Sequence, residues 1–366
     1  MKISALQETL ASAISTVSRA VSSRTTIPVL SGILLSAAGG ELQLTATDQE
    51  IGISLAVPIT VHEPGAVVLP AKYFGEIIRR LPGGEVDIDV KGSVATISWQ
   101  RSQFTINGFP ADEFPLLPED NSGMTLEIDQ TQMRNLIRQT IYCTARDEIR
   151  PTFTGVLFKA TPTTLELVAT DGARLAYSRA AATAPEGQAF QTIVPGRTLG
   201  ELTRILTGDA KPIKVGFSGN QIHFTANGCH ITSRLIEGQF PNYEMAIPKD
   251  YKTVLKVSNR EFSEALDRAS LIAAENSYMI TLAVEEDRLI LTCNTPDVGN
   301  VHEEVLVEKD GDRLQIGFNA RLLIDALRSI EYDEVLLELT GPLSPARIRP
   351  QAIDSTFAIV LPMRIM

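Results

Sequence analysis

The sequence predicts an α+β protein built from three tandem copies of one domain, each with two helices packed on a sheet of about eight antiparallel strands. Three observations predict it. Four short motifs recur in the same order at nearly constant spacing, the intervals between them repeat one pattern of helices and strands, and proline-bearing junctions separate the copies. Three copies account for all 366 residues, so we place the domains at residues 1–124, 125–249 and 250–366.

The clearest motif is a strand that runs into threonine and aspartate. Its copies lie 123 and 124 residues apart: Leu44–Asp48, Leu167–Asp171 and, more weakly, Leu291–Thr295. A second marker follows each copy: Leu69–Phe74, Val194–Leu199 and Phe318–Leu323. Apolar triplets open the copies at Ile3, Leu10 and Ile14, at Leu126, Met133 and Ile137, and at Leu255, Phe262 and Leu266. A dipeptide closes them at Phe114–Pro115, Phe240–Pro241 and Leu361–Pro362.

Within each copy the order of elements is the same. The second copy opens with a strand over 125–128, and the helical spacing of Met133, Leu136, Ile137 and Ile141 then predicts a helix. A strand over 165–169 leads to a turn at Asp171–Gly172, a second helix follows the proline marker, and strands over 213–217 and 221–226 complete the copy. The six helices are predicted over 5–21, 71–81, 129–150, 196–211, 258–276 and 319–331.

Composition favours a globular protein of a reducing compartment. The chain is 44% hydrophobic and 21% charged, with three widely separated cysteines, so we expect a cytoplasmic protein without disulfides. No basic stretch followed by an apolar run opens the sequence, and no uncharged stretch is long enough for a membrane span, so we expect neither a signal peptide nor a membrane anchor.

The motifs of several enzyme classes are missing. The phosphate-binding loop, the dinucleotide glycine fingerprint, the metalloprotease helix and the nucleophile elbow do not occur, and no cofactor is indicated. His223 and His230 are seven residues apart on predicted strands, so we expect them on opposite faces and predict no metal site. Asp48 and Asp171 are the carboxylates repeated at equivalent places, and turn formation explains them better than acid–base catalysis. We therefore expect a protein that is not an enzyme.

Charge is divided unevenly along the chain. The net charge of −11 argues against nucleic acid, yet the six predicted helices hold fifteen Lys and Arg against thirteen Asp and Glu, which leaves −13 on the remainder. The second helix of every copy carries basic residues seven apart, on one face: Lys72 and Arg79, Arg197 and Arg204, Arg321 and Arg328. These faces are either ordinary solvated surfaces or the lining of one mildly positive surface that contacts phosphates without reading sequence.

Four segments carry a resemblance to a known family. They are Arg24–Leu30 (RTTIPVL), Val168–Ala176 (VATDGARLA), Phe240–Tyr243 (FPNY) and Val360–Arg364 (VLPMR). With the threefold plan, they make the chain similar over its whole length to the bacterial DNA polymerase III beta subunit family, the sliding clamps. The resemblance implies DNA-clamp domains that close, as a head-to-tail homodimer, into a ring with helices inside and sheets outside.

The resemblance also implies a peptide-binding pocket for short linear motifs of partners. These partners would be the DNA polymerase III alpha subunit and other polymerases, the clamp loader, and mismatch-repair and ligase-type proteins. The implied lining is Phe153, Thr170, Gly172, Arg174, Leu175, Pro241, Ala246, Leu343, Ile359, Val360, Leu361, Pro362, Met363 and Arg364. The composition suits a peptide groove, with Arg174 as a polar anchor, although ordinary core also explains Leu175, Val360 and Leu361. The chain departs from many family members at Ala173, at Met245 and in the residues Ile365 and Met366.

Two further surfaces follow from the resemblance. Sequence-independent contact with double-stranded DNA is implied for Arg24, Lys72, Arg150 and Arg197. The subunit seam would set Phe104 and Arg101 against Leu271, Ile272, Asp297, Glu303 and Glu304 of the second copy.

Two other functions compete with the clamp. One is a triplicated scaffold that binds peptides but not DNA. The other is an enzyme that uses Asp48 and Asp171, against which the third repeat has Thr295 at the equivalent place.

Overall fold

Six helices alternate with strands in the predicted threefold order. The computed structural model describes residues 1–22, 25–118, 124–147, 149–185, 189–207, 211–274, 277–296 and 298–365. The helices are α1 (Gln7–Val17), α2 (Ala71–Arg80), α3 (Gln130–Thr140), α4 (Gly196–Ile205), α5 (Asn259–Ala273) and α6 (Ala320–Arg328). Of the described helices, none is long and apolar enough to cross a membrane.

The helix that was predicted to reach residue 150 ends ten residues earlier. The hydroxyl of Thr140 donates to the carbonyl of Leu136 at 2.8 Å, and the backbone there departs from helical angles into a 3-10 turn over Ile141–Cys143. Such back-bonding by a threonine competes with the helical ladder. The predictions for α1 and α6 also overrun at the C-terminal end, by four and three residues, since a 3-10 turn over Ser18–Ala20 follows α1 and a turn at Ser329 follows α6. The helices α4 and α5 end before the predicted residues 211 and 276, and parts of those two intervals lie outside the described residues.

About eight strands were predicted for each repeat, and the described residues form nine in the first and eight in each of the others. The first repeat has β1 (Lys2–Leu6), β2 (Gly32–Ala38), β3 (Glu41–Thr47), β4 (Ile51–Pro58), β5 (Thr60–Glu63), β6 (Gly65–Pro70), β7 (Glu85–Lys91), β8 (Val94–Trp99) and β9 (Ser102–Asn107). The second has β10 (Met124–Asp129), β11 (Gly155–Ala160), β12 (Thr164–Thr170), β13 (Arg174–Ala181), β14 (Phe190–Pro195), β15 (Pro212–Ser218), β16 (Gln221–Ala226) and β17 (Cys229–Arg234). The third has β18 (Thr253–Ser258), β19 (Met279–Val284), β20 (Arg288–Thr295), β21 (Gly299–Gly311), β22 (Gln315–Asn319), β23 (Glu334–Leu339), β24 (Ala346–Pro350) and β25 (Thr356–Val360).

The sheets do not stop at the repeat boundaries. Two compact units are formed, residues 1–131 with 201–235 and residues 132–200 with 236–366. The first unit holds a five-stranded sheet (β5-β1-β7-β8-β9) and an eight-stranded sheet (β10-β15-β16-β17-β4-β3-β2-β6). The second unit holds one twelve-stranded sheet (β14-β11-β12-β13-β25-β24-β23-β18-β21-β20-β19-β22). Strands of neighbouring repeats therefore pair directly, β17 with β4 in one unit and β13 with β25 in the other.

The repeated motifs have structural reasons. In the first two threonine–aspartate motifs, the threonine is the last residue of β3 or β12. Each copy of the second marker spans the junction between a strand and the helix that follows it, which is α2, α4 or α6. The side chains of Phe74, Phe158, Phe224, Phe262 and Phe318 are fully buried, which anchors the helical and strand layers of each unit to an apolar core.

Candidate functional site

The turn between β12 and β13 is built by two short polar side chains. The Asp171 carboxylate accepts hydrogen bonds from the backbone N–H groups of Ala173 at 2.9 Å and Arg174 at 3.1 Å. The Thr170 hydroxyl accepts from the N–H of Gly172 and donates to the carbonyl of Arg174. Gly172 has φ of +93°, a left-handed value that favours glycine. The sequence prediction of a turn at this place is confirmed.

Asp48 performs the same task in the first repeat. Its carboxylate accepts from the N–H groups of Glu50 at 3.0 Å and Ile51 at 2.9 Å, and Thr47 uses its hydroxyl as Thr170 does. Both repeated carboxylates are therefore turn formers, which leaves the enzyme hypothesis without its proposed catalytic groups.

Arg174 is held by acceptors from three segments of the second unit. Its guanidinium donates to the Asp171 carboxylate at 2.9 Å, to the Asp325 carboxylate of α6 at 2.6 Å and to the carbonyl of Tyr142 at 2.7 Å. Burial alone disfavours its charge, but the bond to Asp325 and the neighbouring negative groups outweigh that cost and raise the pKa of Arg174. Only 12% of the side chain is exposed. Three of its five N–H donors therefore have partners within the chain, and its role as a peptide anchor stays a prediction.

Sequence reasoning did not find Asp325 or Tyr142. Asp325 lies 151 residues from Arg174. The other second helices carry Glu76 and Glu201 at the equivalent place, and each of these pairs within its own helix, with Arg79 and Arg204, so the repeated acid did not point to Arg174. An ion pair between distant elements leaves no periodic signal in the sequence.

The residues Leu361–Met363 extend the sheet beyond β25. Within the sheet, Arg174 pairs with Val360 and Leu175 with Ile359. The N–H of Leu361 then donates to the carbonyl of Ala173 at 3.0 Å, and the N–H of Met363 donates to the carbonyl of Gly317 at 2.8 Å. The segment is thus fixed to the turn before β13 on one side and to β22 on the other.

Three neighbouring strands have their ends at one place. Arg174 begins β13, Val360 ends β25, and Ala346, which pairs with Val360, begins β24. The residues just outside these strands therefore lie along one edge, which we call the docking edge: Gly172, Ala173, Leu343 and Leu361. Leu343 is 67% exposed and Leu361 is 40% exposed, so the docking edge presents two large apolar side chains to solvent.

Other predicted lining residues are buried beside the docking edge or lie partly exposed around it. Leu175 and Ile359 are buried in one apolar cluster with Phe240, against which Tyr243 and Ile247 also pack. Thr170 and Val360 are buried as well. Of the three residues for which ordinary core was the alternative, Leu175 and Val360 are buried and Leu361 is exposed. Phe153, Pro241, Pro362 and Met363 are half-buried, and Ala246 and Arg364 are exposed. Met245, where the chain departs from many family members, is 84% exposed.

The predicted DNA-contacting residues differ in their surroundings. Lys72 is exposed at the start of α2, with its ammonium 5.8 Å from the centre of the Tyr73 ring, and Arg197 is exposed at the start of α4. Arg150 lies over the ring of Phe153 and is considered again below. Arg24 lies outside the described residues.

The predicted basic faces of the helices are partly neutralised. Arg79 pairs with Glu76, Arg204 with Glu201, and Arg328 with Asp267 of α5. The guanidinium of Arg321 lies 3.5 Å from the centre of the Tyr278 ring. A glutamate three residues before the arginine was the available signal in α2 and α4, since such pairs meet on a helix.

The described seam residues differ in exposure, and Ile272 is half-buried on α5. Phe104 is 37% exposed on the edge strand β9, and Leu271 is 75% exposed on α5. Glu303 accepts two bonds from Arg268, which hold the pKa of its carboxyl below the usual range.

The second acid of the seam is also paired. Glu304 is bonded to His302 and Arg288, and both bonds lower the pKa of its carboxyl. The acids expected opposite Arg101 are thus already paired within their own chain, and Asp297 lies outside the described residues.

The prediction for the two histidines is wrong. His223 pairs with Thr232 and His230 with Thr225 across β16 and β17, so both side chains point to one face of the sheet. The seven-residue spacing passes through the hairpin turn, which reverses the strand and makes period-two counting invalid. Among the described residues, no group of three or more His, Cys, Asp or Glu has the geometry of a metal site.

Comparison with known proteins gives matches over the three repeats. Family models of the DNA polymerase III beta subunit match residues 1–118 as its N-terminal domain, 127–242 as its central domain and 244–364 as its C-terminal domain. The beta sliding clamp of Bacillus subtilis is 34% identical over 376 aligned residues that cover all of both chains. The beta sliding clamp of Staphylococcus aureus is 35% identical over 357 residues, or 94% of each chain.

Solved structures agree with these matches. The crystal structure of the Bacillus subtilis DNA polymerase sliding clamp superposes with a TM-score of 0.96 at 33% identity, with full coverage of both chains. A Pseudomonas aeruginosa sliding clamp bound to griselimycin superposes with a TM-score of 0.96 at 32% identity, also with full coverage.

Proposed function

The chain belongs to the DNA polymerase III beta subunit family, the beta sliding clamps, and from this premise we propose that two copies associate head to tail into a ring around duplex DNA. The protein is a processivity clamp of DNA replication. The observation that supports this most strongly is the match of all three repeats to sliding clamps, at full coverage and a TM-score of 0.96.

The proposed seam uses two free strand edges. Among the described residues, β9 pairs with β8 on one side and with no strand on the other. In β21, the residues Gly299–Leu306 pair with β20, and the pairing with β18 on the opposite side begins only at Val307, so the described part of that side is free over Gly299–Leu306. Adding β9 of one copy to β21 of the other would continue the sheet across the seam. Phe104 would then meet Leu271 and Ile272, and this apolar contact would supply most of the association energy, since Glu303 and Glu304 are already paired.

Contact with DNA is proposed to be weak and independent of sequence. The candidates are Arg24, Lys72, Arg150 and Arg197, which offer phosphates charge and no base readout. Because the other basic residues of α2, α4 and α6 are neutralised or stacked, the ring would retain DNA by enclosure rather than by affinity.

The docking edge is the proposed attachment site for partner peptides. Its exposed leucines suit apolar motif residues, and the half-buried Met363 adapts readily to different ligands. The partners would be the polymerase III alpha subunit and other polymerases, the clamp loader, and repair and ligase-type proteins, all in the cytoplasm. We place the site that corresponds to griselimycin binding in the Pseudomonas clamp here, together with Phe153, Pro241, Ala246 and Arg364.

No catalysis is proposed, because the repeated aspartates are engaged in turns. We keep the domain boundaries at residues 124 and 249, where limited proteolysis should cut first. The match of the whole chain to sliding clamps argues against the competing function, a peptide-binding scaffold without DNA.

Two measurements test the proposal. Sedimentation should give a mass of twice 39.8 kDa. After loading with a clamp loader, the protein should stay on closed circular duplex and slide off the same DNA once it is linearised. A monomer, or equal retention on both forms, would reject the ring; griselimycin binding without retention on circles would favour the scaffold.

A further inference from the structure

Arg150 is assigned to DNA by resemblance, yet its side chain lies on residues of the proposed docking site. Its guanidinium donates to the carbonyl of Asp171 at 2.8 Å and lies 4.1 Å from the centre of the Phe153 ring. A Cβ atom placed on Gly172 would be 2.9 Å from the guanidinium, so Arg150 occupies the open side of this glycine. Gly172 and Phe153 both belong to the proposed lining.

We propose that Arg150 covers part of the docking site in the absence of DNA and that a DNA phosphate withdraws it, so that DNA and a docked peptide favour each other's binding. The inference rests on the proposed function, because it takes from there both the site and the DNA contact. The inference adds an energetic coupling between the docking site and the DNA contact, which neither assignment contains.

The contacts that hold Arg150 over the site are of kinds that a phosphate can replace. One is a hydrogen bond to an uncharged carbonyl, and the other is a cation–π contact at an exposed position. Among the described residues, no carboxylate forms an ion pair with Arg150. Arg174, by contrast, forms ion pairs with Asp171 and Asp325. A phosphate offers charge-assisted and bidentate bonds, which are roughly twice as strong as neutral ones.

The proposed coupling between DNA binding and peptide binding is positive. Removing the guanidinium uncovers the Gly172 backbone and the Phe153 ring, so a ligand no longer has to displace it. A ligand on the site in turn displaces Arg150 and leaves its charge available to DNA, as reciprocity between two binding equilibria requires. The expected coupling is about three- to tenfold, at the low end of the usual range because the displaced contacts are weak.

The test measures griselimycin affinity by calorimetry at low salt, with and without a short linear duplex. The wild type should bind more tightly with duplex present. Arg150→Ala should bind about three- to tenfold more tightly than the wild type without duplex, and duplex should have no further effect. Arg150→Lys should resemble Arg150→Ala without duplex, since lysine lacks the planar group that covers the ring, while it still retains a charge for DNA.

The matched control is Arg146→Ala, which removes another exposed arginine from the same loop and should leave griselimycin affinity unchanged. Unchanged or weaker binding by Arg150→Ala, or an equal gain by Arg146→Ala, would overturn the inference alone. A wild type that does not bind griselimycin would overturn the docking site and this inference with it.

Discussion

Replacing Arg174 by alanine tests whether this residue stabilises the fold or binds the ligand. The change leaves the carboxylates of Asp171 and Asp325 and the carbonyl of Tyr142 without the cation that they share. Breaking a buried ion pair costs about 3 to 5 kcal/mol, and water compensates part of this here because Asp325 is half-exposed. We therefore expect a loss of about 2 to 3 kcal/mol in the free energy of unfolding.

Scanning calorimetry measures this loss. For a unit of this size, the melting temperature should fall by about 4 to 12 °C. Arg179→Ala is the matched control, because it removes an exposed arginine from the same strand and should change the free energy of unfolding by less than about 0.5 kcal/mol. An Arg174→Ala variant that melts like the wild type but has lost griselimycin affinity would refute the reasoning and support Arg174 as an anchor.

Three further outcomes are expected. Replacing Leu271 and Ile272 by alanine should raise the dimer dissociation constant at least about tenfold in sedimentation equilibrium, and a double variant that remains a tight dimer contradicts the seam. Truncation after Val360 should abolish griselimycin binding and leave the dimer, with Met363→Ala weakening affinity in the same direction; a truncated protein that precipitates would show that the segment is only core. Burial raises the pKa of the Cys229 thiol to about 12, so iodoacetamide at about pH 8 should label it only after unfolding, and rapid labelling of native protein would show that this strand opens.

The repeated parts of the fold were predictable because local chemistry specifies them. Asp171 and Gly172 predict their turn from side-chain geometry alone, and the structure has the same turn at Asp48. The ends of helices were less predictable, since the hydroxyl of Thr140 ends α3 although apolar residues continue the helical spacing to Ile141.

The site was predictable only in part. Leu343 and Leu361 reach one edge because β24 and β25 pair, a relation that the printed sequence does not contain. The partner of Arg174 and the position of Arg150 over Gly172 depend likewise on contacts between distant segments. Periodicity predicts which face a residue occupies within its own helix or strand, but it does not predict which other element packs against that face.

The insertion of β25 between β13 and β24 has a consequence for biosynthesis. β13 leaves the ribosome early, yet its partner at residues 356–360 is made only after the whole third repeat. During that interval one row of backbone donors and acceptors on β13 is unpaired, a state that invites association between nascent chains. Chaperones that cover extended segments would therefore be needed most while the third repeat is being translated, and ribosomes stalled there would release the most aggregation-prone form of the protein.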